Sequence, residues 1–392
     1  NRGGHDPHKI YAAYAAAVKH KGQPTVILAK TIKGYGLGKQ GQAQNPTHQL
    51  KKLDLQTIRE FRDRFNVPVP DDQLEKLPFY KPAADDPVMV YLHGRRAALG
   101  GYLPQRRRKA EAMPEVPPLS AFDAVLKSTD RELSTTMAFV RILTALVRDK
   151  SIGKHVVPIV PDEARTFGME GMFRQLGIYS SEGQKYTPVD KDQVMYYRED
   201  KGGQILEEGI NEAGAFCSWL AAATSYSTNN LAMVPFYIFY SMFGMQRIGD
   251  LVWAAGDLRA RGFLLGATAG RTTLNGEGLQ HEDGHSQVMA ALIPNCVSYD
   301  PTFAYELAVI IHDGLRRMIG NQEDVFYYIT VMNENYLHPG LPDAVDKNAA
   351  EGIIKGMYLL REGGKKKHRV QLMGSGTILR EVIAAADLLA ND

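Results

Sequence analysis

The sequence has few cysteines and no long apolar run, and each scarcity excludes a class of protein. Cys217 and Cys296 stand far apart and without metal-ligand spacing, so we expect a reducing cytoplasm and no disulfide framework. The longest apolar run, 232–242, is interrupted by Pro235 and is too short to span a bilayer. A formal net charge of +2 gives no basic excess for nucleic acid. We therefore expect a cytoplasmic protein that binds neither membrane nor nucleic acid.

The start of the sequence lacks an initiating methionine and the regions of a signal peptide. At its other end, residues 370–392 are predicted to form a strand and a helix, which would be the first elements of a further domain. These two features predict a segment of a longer protein. At roughly 150 residues per domain, its 392 residues predict two to three domains.

Apolar strand patterns alternate with helix patterns through most of the chain, which is typical of an α/β fold with doubly wound parallel sheets. The first domain predicted is 1–67, with helices over 6–21 and 54–65 and a buried strand at 25–29. Prolines and charges are dense over 68–118, which we interpret as an extended linker. Alternation resumes over 119–340. A third domain is predicted over 341–392, with a strand at 370–373.

Glu212 follows a short strand and stands at the start of an apolar helix. The helix dipole stabilises an acidic residue there in any protein, so this feature alone favours a structural role. The next strand and its exit, however, are rich in aromatic residues, and alternation along a strand cannot bury all of them on one face. They are Phe236, Tyr237, Phe239, Tyr240 and Phe243. The combination predicts a site for a flat aromatic ligand.

The segment 270–285 is glycine-rich and polar, which indicates a binding loop after an apolar strand. His281 and His285 with a carboxylate leave a metal site open, although Gly284 argues against a helix there. A plain surface loop also remains open. A histidine that faces the substrate is the interpretation we favour.

Three further residues lie where α/β proteins bind ligands. Asp162 and Glu163 follow a predicted strand, at the carboxyl edge of the sheet. His48 lies in the polar loop that follows the glycine-rich segment. We expect residues 39–47 of this loop to be mobile. A solvated side chain is the ordinary alternative for His48.

Several of these motifs together resemble the transketolase-like superfamily of thiamin diphosphate enzymes. They are the glycine-rich segment 31–36, Ile210 to Glu212, and 276–278 with His281. Longer motifs at 1–6, 162–170, 217–230 and 270–285 are similar to the homodimeric-type first component of bacterial pyruvate dehydrogenase complexes. The resemblance extends over the whole chain.

The resemblance implies an enzyme that decarboxylates pyruvate and transfers the acetyl group reductively to the lipoyl group of a dihydrolipoyl acyltransferase, feeding acetyl-CoA production. Thiamin diphosphate and Mg²⁺ are the implied cofactors, and a homodimer is the implied assembly. Residues 1–67 then correspond to the end of a diphosphate-binding domain with an active-site loop, and 119–340 to a complete pyrimidine-binding domain. The family's metal ligands precede the point matched by Asn1, so this chain is expected to hold none and to be inactive alone.

The resemblance also assigns roles to residues. Glu212 matches the glutamate that hydrogen-bonds the aminopyrimidine ring, His281 matches a histidine oriented toward the substrate, and His48 matches a loop histidine implicated in acetyl transfer. The remaining matches are to cofactor-site and active-centre residues: Ile210, Tyr240, Phe243, Asp162, Glu163 and Lys33. Two other functions stay open, a ketose-transferring transketolase relative and a catalytically silent binding or assembly module.

Overall fold

The computed structural model describes residues 3–102, 107–161, 164–189, 191, 196–270, 277–342 and 347–391. The chain divides into two compact units, Asn1–Gln105 and Arg106–Asp392. No helix in the described ranges is long and apolar enough to cross a membrane.

Three of the four α-helices described in the first unit begin directly after an aspartate. Asp6, Asp54 and Asp86 each accept backbone N–H groups of the turn that follows, which satisfies donors that a helix end leaves unpaired. The helices are α1 Pro7–Lys19, α2 Gly38–Gly41, α3 Leu55–Arg64 and α4 Pro87–Ala98, with 3₁₀ turns at Asn45–Gln49 and Asp71–Lys76. Helix α4 lies inside the stretch that the sequence predicted to be extended.

The buried strand predicted at 25–29 is wrong. These residues carry no strand assignment, and the side chains of Val26 and Leu28 are 82% and 91% exposed. A strand is stabilised by ladder partners and by burial on the pleated surface. The described residues of the first unit contain no strand that could supply ladder partners or such a surface.

The second unit contains a parallel sheet covered by helices. Its strands are β1 Val156–Val160, β2 Ile178–Tyr179, β3 Glu199–Asp200, β4 Leu206–Glu207, β5 Val234–Tyr240, β6 Phe263–Ala267, β7 Cys296–Tyr299 and β8 Phe326–Thr330. The α-helices are α5 Asp123–Leu126, α6 Thr135–Arg148, α7 Glu170–Leu176, α8 Glu212–Ala223, α9 Ser225–Asn229, α10 Ser241–Asp257, α11 Ser286–Ala291, α12 Ala304–Leu315, α13 Ala349–Lys355 and α14 Ile378–Asn391. Short 3₁₀ turns occur at Leu119–Phe122, Gly153–His155 and Leu279–His281, and a π-helical turn occurs at Arg316–Gly320.

Six strands pair in the order β4-β1-β5-β6-β8-β7, and every pairing is parallel. The chain passes from β1 to β4 on one side and then to β5 on the other, so the strand order reverses around β1. In open α/β sheets, ligands bind at the carboxyl ends of strands where the order reverses. The predicted α/β class with a doubly wound parallel sheet is confirmed.

The core lies on both faces of the central strands. Residues Val234 to Phe239 of β5 are all buried, which explains a near-continuous apolar run in place of alternation. Phe236 stacks on Phe263 of β6 with ring centroids 4.6 Å apart, and the indole of Trp219 donates to the carbonyl of Phe263 at 3.1 Å. Helix α8 is thereby fixed on the sheet that it flanks.

The chain after α13 contacts α12 and the segment that precedes it through polar groups. The hydroxyl of Tyr358 donates to the buried carboxyl group of Glu306 on α12, and the hydroxyl of Thr302 donates to the carbonyl of Gly376 at 2.8 Å. The strand predicted at 370–373 is wrong, because these residues have no ladder partner among the described residues and Val370 is 76% exposed. The helix predicted to open after them is present as α14.

Candidate functional site

Glu212 is the first residue of α8, at the carboxyl end of β4. Gly209 turns the chain out of the strand with φ +75°, a conformation that favours glycine. The side chain of Asn211 then caps α8 by accepting the backbone N–H of Gly214 at 3.0 Å. Glu212 therefore starts the helix with its side chain only 19% exposed.

The carboxylate of Glu212 has a cationic partner. Arg247, on the neighbouring helix α10, donates a hydrogen bond to its Oε1. The same guanidinium lies over the ring of Phe243, 4.7 Å from the ring centroid. A carboxylate, a guanidinium and an aromatic face are thus joined in one group at the edge of the sheet.

Aromatic rings continue this group toward the loop after β6. The ring of His281 lies 4.9 Å from the ring of Tyr240 and 5.2 Å from that of Phe243, in edge-to-face arrangements. The ring of Phe167 also packs on Tyr240, with centroids 5.4 Å apart. Four of the predicted site residues, Glu212, Tyr240, Phe243 and His281, therefore lie in one neighbourhood.

Three of the five aromatic residues predicted to offer a ligand surface do not do so. Phe236, Tyr237 and Phe239 are each at most 1% exposed. The physical reason is the central position of β5, because a strand with neighbours on both edges and helices on both faces buries both sets of side chains. Tyr240 and Phe243 remain accessible because they stand at the strand end and in the first turn of α10.

Glu277 adds a second carboxylate to the neighbourhood. Its Oε2 lies 3.0 Å from Nδ1 of His281. Burial raises the pKa of Glu277, while the nearby His281 opposes that shift. In the described part of the chain, no group of three or more His, Cys, Asp and Glu side chains is arranged to hold a metal ion. The carboxyl groups of Glu212 and Glu277 can exchange protons, and the rings of Tyr240 and Phe243 can bind a flat polar ring.

The other predicted residues do not all join this group. Ile210 lies one residue before the Asn211 cap and is 71% exposed. Lys33 and His48 are exposed residues of the first unit, and His48 lies in the 3₁₀ turn Asn45–Gln49. Both therefore belong to a different unit from the group around Glu212. Asp162 and Glu163 lie outside the described residues.

The loop expected to be mobile contains short folded turns. Thr47 donates through its hydroxyl to the carbonyl of Gln44 at 2.7 Å, and the side chain of Gln42 accepts the backbone N–H of Gly36 at 3.1 Å. Gly34 has φ +69°, and a Cβ there would approach the carbonyl oxygen of Gly41 to 2.4 Å. A glycine is required at that position for this turn to close.

Sequence reasoning missed Arg247 and Phe167. Arg247 is four residues after Phe243, so helical spacing places both on one face of α10. That spacing was a usable signal once the helix start at Ser241 was known. Phe167 gave no such signal, because it lies in the irregular segment between β1 and α7.

Comparison with known proteins gives concordant results. Residues 119–339 match the family model described as the pyruvate dehydrogenase E1 component middle domain. The chain is 67% identical to the pyruvate dehydrogenase E1 component of Cupriavidus necator, 70% to that of Pseudomonas aeruginosa PAO1 and 60% to that of Escherichia coli K12. Each match covers 100% of this chain and 44% of the relative. The chain thus spans less than half the length of these curated relatives.

Solved structures add the fold. A Pichia stipitis transketolase complexed with a sedoheptulose phosphate matches with a TM-score of 0.56 at 14% identity, covering 92% of this chain and 49% of that one. A Leishmania mexicana transketolase matches with a TM-score of 0.56 at 17% identity, covering 86% and 45%. At these identities the likeness concerns the fold alone, and the predicted transketolase-like fold is confirmed.

Proposed function

The chain belongs to the family of the pyruvate dehydrogenase E1 component middle domain, and from that membership we propose that it carries part of a site for thiamin-diphosphate-dependent decarboxylation of pyruvate. The observation that carries the proposal is the grouping of Glu212, Tyr240, Phe243 and His281 at the carboxyl edge of the parallel sheet. The curated relatives are named pyruvate dehydrogenase E1 component, which supports pyruvate as the substrate.

The residues present fit the aminopyrimidine part of thiamin diphosphate. A flat nitrogen ring needs an aromatic face and a polar partner at its edge, and Tyr240 and Phe243 with Glu212 offer both. The buried Nδ1 of His281 lies 3.0 Å from Oε2 of Glu277, and the His281 ring stands edge-to-face to Tyr240 and Phe243. The imidazole therefore lies beside the two rings that we propose for the aminopyrimidine.

When bound, thiamin diphosphate supplies a carbon nucleophile and an electron sink for the decarboxylation. The protein's own part is orientation and proton handling. Glu212 would hold a ring nitrogen through a hydrogen bond, and Ile210 would press on the cofactor from the turn before α8. His281 would face the substrate, with the carboxyl group of Glu277 3.0 Å from its Nδ1.

The family resemblance implies that Mg²⁺ accompanies thiamin diphosphate, and the described residues show no group of three or more His, Cys, Asp and Glu side chains that could hold a metal ion. We place the Mg²⁺ ligands in the part of the longer relatives outside the matched segment. The family resemblance implies Asp162, Glu163 and Lys33 as further active-centre residues. The partners follow the same proposal: a homodimer, and the lipoyl domain of a dihydrolipoyl acyltransferase that His48 would help to receive.

The proposal is tested on the intact protein with thiamin diphosphate and Mg²⁺ present. We expect release of carbon dioxide from pyruvate with an artificial electron acceptor, and acetylation of an added lipoyl domain. Xylulose 5-phosphate with an aldose acceptor serves as the control substrate. Turnover of the sugar in place of pyruvate would assign the chain to ketose transfer. Absence of both activities would leave a binding or assembly role.

A further inference from the structure

A buried carboxylate holds the segment that carries His281. Asp283 is 1% exposed. It accepts the backbone N–H groups of His285 and Ser286 at 3.1 and 3.0 Å, and the hydroxyl of Ser286 also donates to it. These bonds close the turn between the 3₁₀ turn Leu279–His281 and helix α11.

Asp283 is held as a carboxylate despite its burial. Burial alone disfavours the charged form, but the hydrogen bonds from Ser286 and His285 outweigh it and lower the pKa of Asp283. The side chain of Ser241, the first residue of α10, acts in the same direction. The charge is therefore retained where it can organise the turn that leads into α11.

Both flanks of the turn are anchored to other elements. On one side, Gln246 of α10 donates to Nε2 of His285 at 2.8 Å. On the other, Gln287 of α11 donates to the carbonyl of Tyr299 at 2.8 Å and to the hydroxyl of Thr330 at 3.0 Å. Asp283 is thus the link between a fixed helix and the short segment on which His281 meets its aromatic neighbours.

We propose that Asp283 is a positioning residue, whose carboxylate fixes the turn that holds the His281 ring against Tyr240 and Phe243. This inference rests on the proposed function for its catalytic consequence but not for its structural one. A displacement of a catalytic group by about 1 Å costs about 100-fold in rate. We therefore expect loss of the Asp283 carboxylate to lower the reaction rate by displacing the His281 ring.

The kinetic test is a double-mutant cycle in the intact protein. Asp283→Asn keeps the side-chain shape, and we expect it to lower kcat/KM for pyruvate by about 10- to 100-fold. Its affinity for thiamin diphosphate and its melting temperature should stay near the parent's. In a His281→Ala background the same change should add almost nothing, because residues that act through one another are not additive. Asp250→Asn, an exposed aspartate on α10, is the matched control.

Independent losses would overturn the inference, since a merely structural role lowers activity by the same factor with or without His281. An unchanged kcat/KM for Asp283→Asn would overturn it as well. If Asp283→Asn lowers the melting temperature markedly, Asp283→Glu, which keeps the charge, should recover activity in part. Failure of that recovery would also count against the role.

A second measurement does not need activity. The rate at which diethyl pyrocarbonate modifies His281 is followed by mass spectrometry of its peptide, with the exposed His48 as internal reference. We expect Asp283→Asn to raise the rate at His281 at least about threefold, because a released ring is more accessible, and to leave His48 unchanged. An unchanged rate at His281 would overturn the positioning role even in a protein with full activity. A raised rate in a protein inactive on pyruvate would uphold it and refute the proposed function alone.

Discussion

Glu212 and Arg247 are joined across two helices by a hydrogen bond from the guanidinium to Oε1 of the carboxylate. A carboxylate has two oxygens and about four acceptor positions, so this contact occupies only part of its capacity. The pair can therefore orient the carboxylate while its second oxygen meets a ligand ring. The exposure of Arg247, 50% at its side chain, means that the pair adds little to stability and is better understood as part of the site.

We expect Glu212→Gln in the intact protein to lower turnover of pyruvate by about 100- to 10,000-fold, the usual loss when an acid–base group is removed. The fold should persist, because glutamine keeps the side-chain length and Asn211 still caps the helix. Steady-state kinetics and circular dichroism measure the two effects. Glu351→Gln, an exposed partner of Lys355, is the control and should be neutral. A Glu212→Gln variant with more than about a third of the parent rate would remove this residue from its role.

The sequence predicted the second unit better than the first, and the reason is physical. The strand predicted before Asp162 is present as β1, because its apolar residues have neighbouring strands on both sides. The segments 25–29 and 370–373 have the same apolar pattern without such neighbours, and neither forms a strand. An apolar pattern favours a strand, whereas pairing with neighbouring strands decides whether the strand forms.

The candidate site was predictable in part for a related reason. Glu212 and His281 lie at strand-to-helix exits, which the alternation of elements locates in advance. The contact between Glu212 and Arg247 joins residues 35 positions apart, and nothing local in either segment predicts it. Burial of Phe236 and Phe239 likewise depends on strands that pair with β5 from elsewhere in the chain.

We predict that His48→Ala separates two half-reactions in the intact protein. Decarboxylation with an artificial acceptor should persist, while acetyl transfer to a lipoyl domain should fall sharply. The reason is that His48 is exposed on a 3₁₀ turn after a glycine-rich segment, where it is accessible to an arriving group. Parallel assays of the two reactions measure the ratio, with His20→Ala, another exposed histidine of the first unit, as control. Equal losses would show that His48 serves the cofactor or the substrate.

Arg261 is a buried cation that ties three segments of the second unit together. It is 4% exposed and donates to the carbonyls of Arg108, Gln322 and Glu323 at 2.9, 2.7 and 3.1 Å. We expect Arg261→Met to lower the free energy of unfolding by about 3 kcal/mol, because the carbonyls would stay buried without donors.

Urea denaturation followed by tryptophan fluorescence measures this loss, since both tryptophans, Trp219 and Trp253, lie in the second unit. Arg259→Met is the control, because the side chain of Arg259 is 44% exposed and makes a 3.5 Å surface ion pair with Asp324. Its effect should stay below about 1 kcal/mol. Equal effects of the two substitutions would show that the buried hydrogen bonds of Arg261 stabilise the fold no more than a surface ion pair does.

Glu306 should make stability depend on pH. Burial raises the pKa of this carboxyl, although Tyr358 and the backbone N–H groups of Thr302 and Phe303 oppose the shift by hydrogen-bonding to it. The native state therefore keeps a proton that the unfolded chain releases above about pH 4.5. The contribution of Glu306 to the free energy of unfolding is present below that pH and is lost as pH rises through the native pKa.

The measurement compares the parent with Glu306→Gln by urea denaturation from pH 4.5 to pH 8. The parent's free energy of unfolding, relative to the variant's, should fall as pH rises. Glu351→Gln serves again as the exposed control and should give a flat difference. A difference that rises with pH would mean that the native state stabilises the ionised carboxyl, and that the hydrogen bonds to Glu306 outweigh its burial.

The last prediction concerns the affinity of residues 1–392, expressed alone, for thiamin diphosphate. With Mg²⁺ present, we expect this chain to bind at least about tenfold more weakly than the full-length Pseudomonas aeruginosa relative, which corresponds to about 1.4 kcal/mol. The diphosphate is a concentrated anion, and a divalent cation with oxygen ligands normally offsets its charge. The described residues hold no such ligand cluster, and the relative extends well beyond the matched segment.

In this chain, the contacts that we expect to remain are those to the aminopyrimidine ring. Packing by Tyr240 and Phe243 does not compensate the charge of the diphosphate. Isothermal titration calorimetry on both proteins, with and without Mg²⁺, measures the difference. We expect Mg²⁺ to tighten binding to the relative and to leave this chain's affinity unchanged. Equal affinities, or an equal response to Mg²⁺, would place the anchor of the diphosphate within residues 1–392. Such a result would require metal ligands in this chain that the family resemblance does not predict.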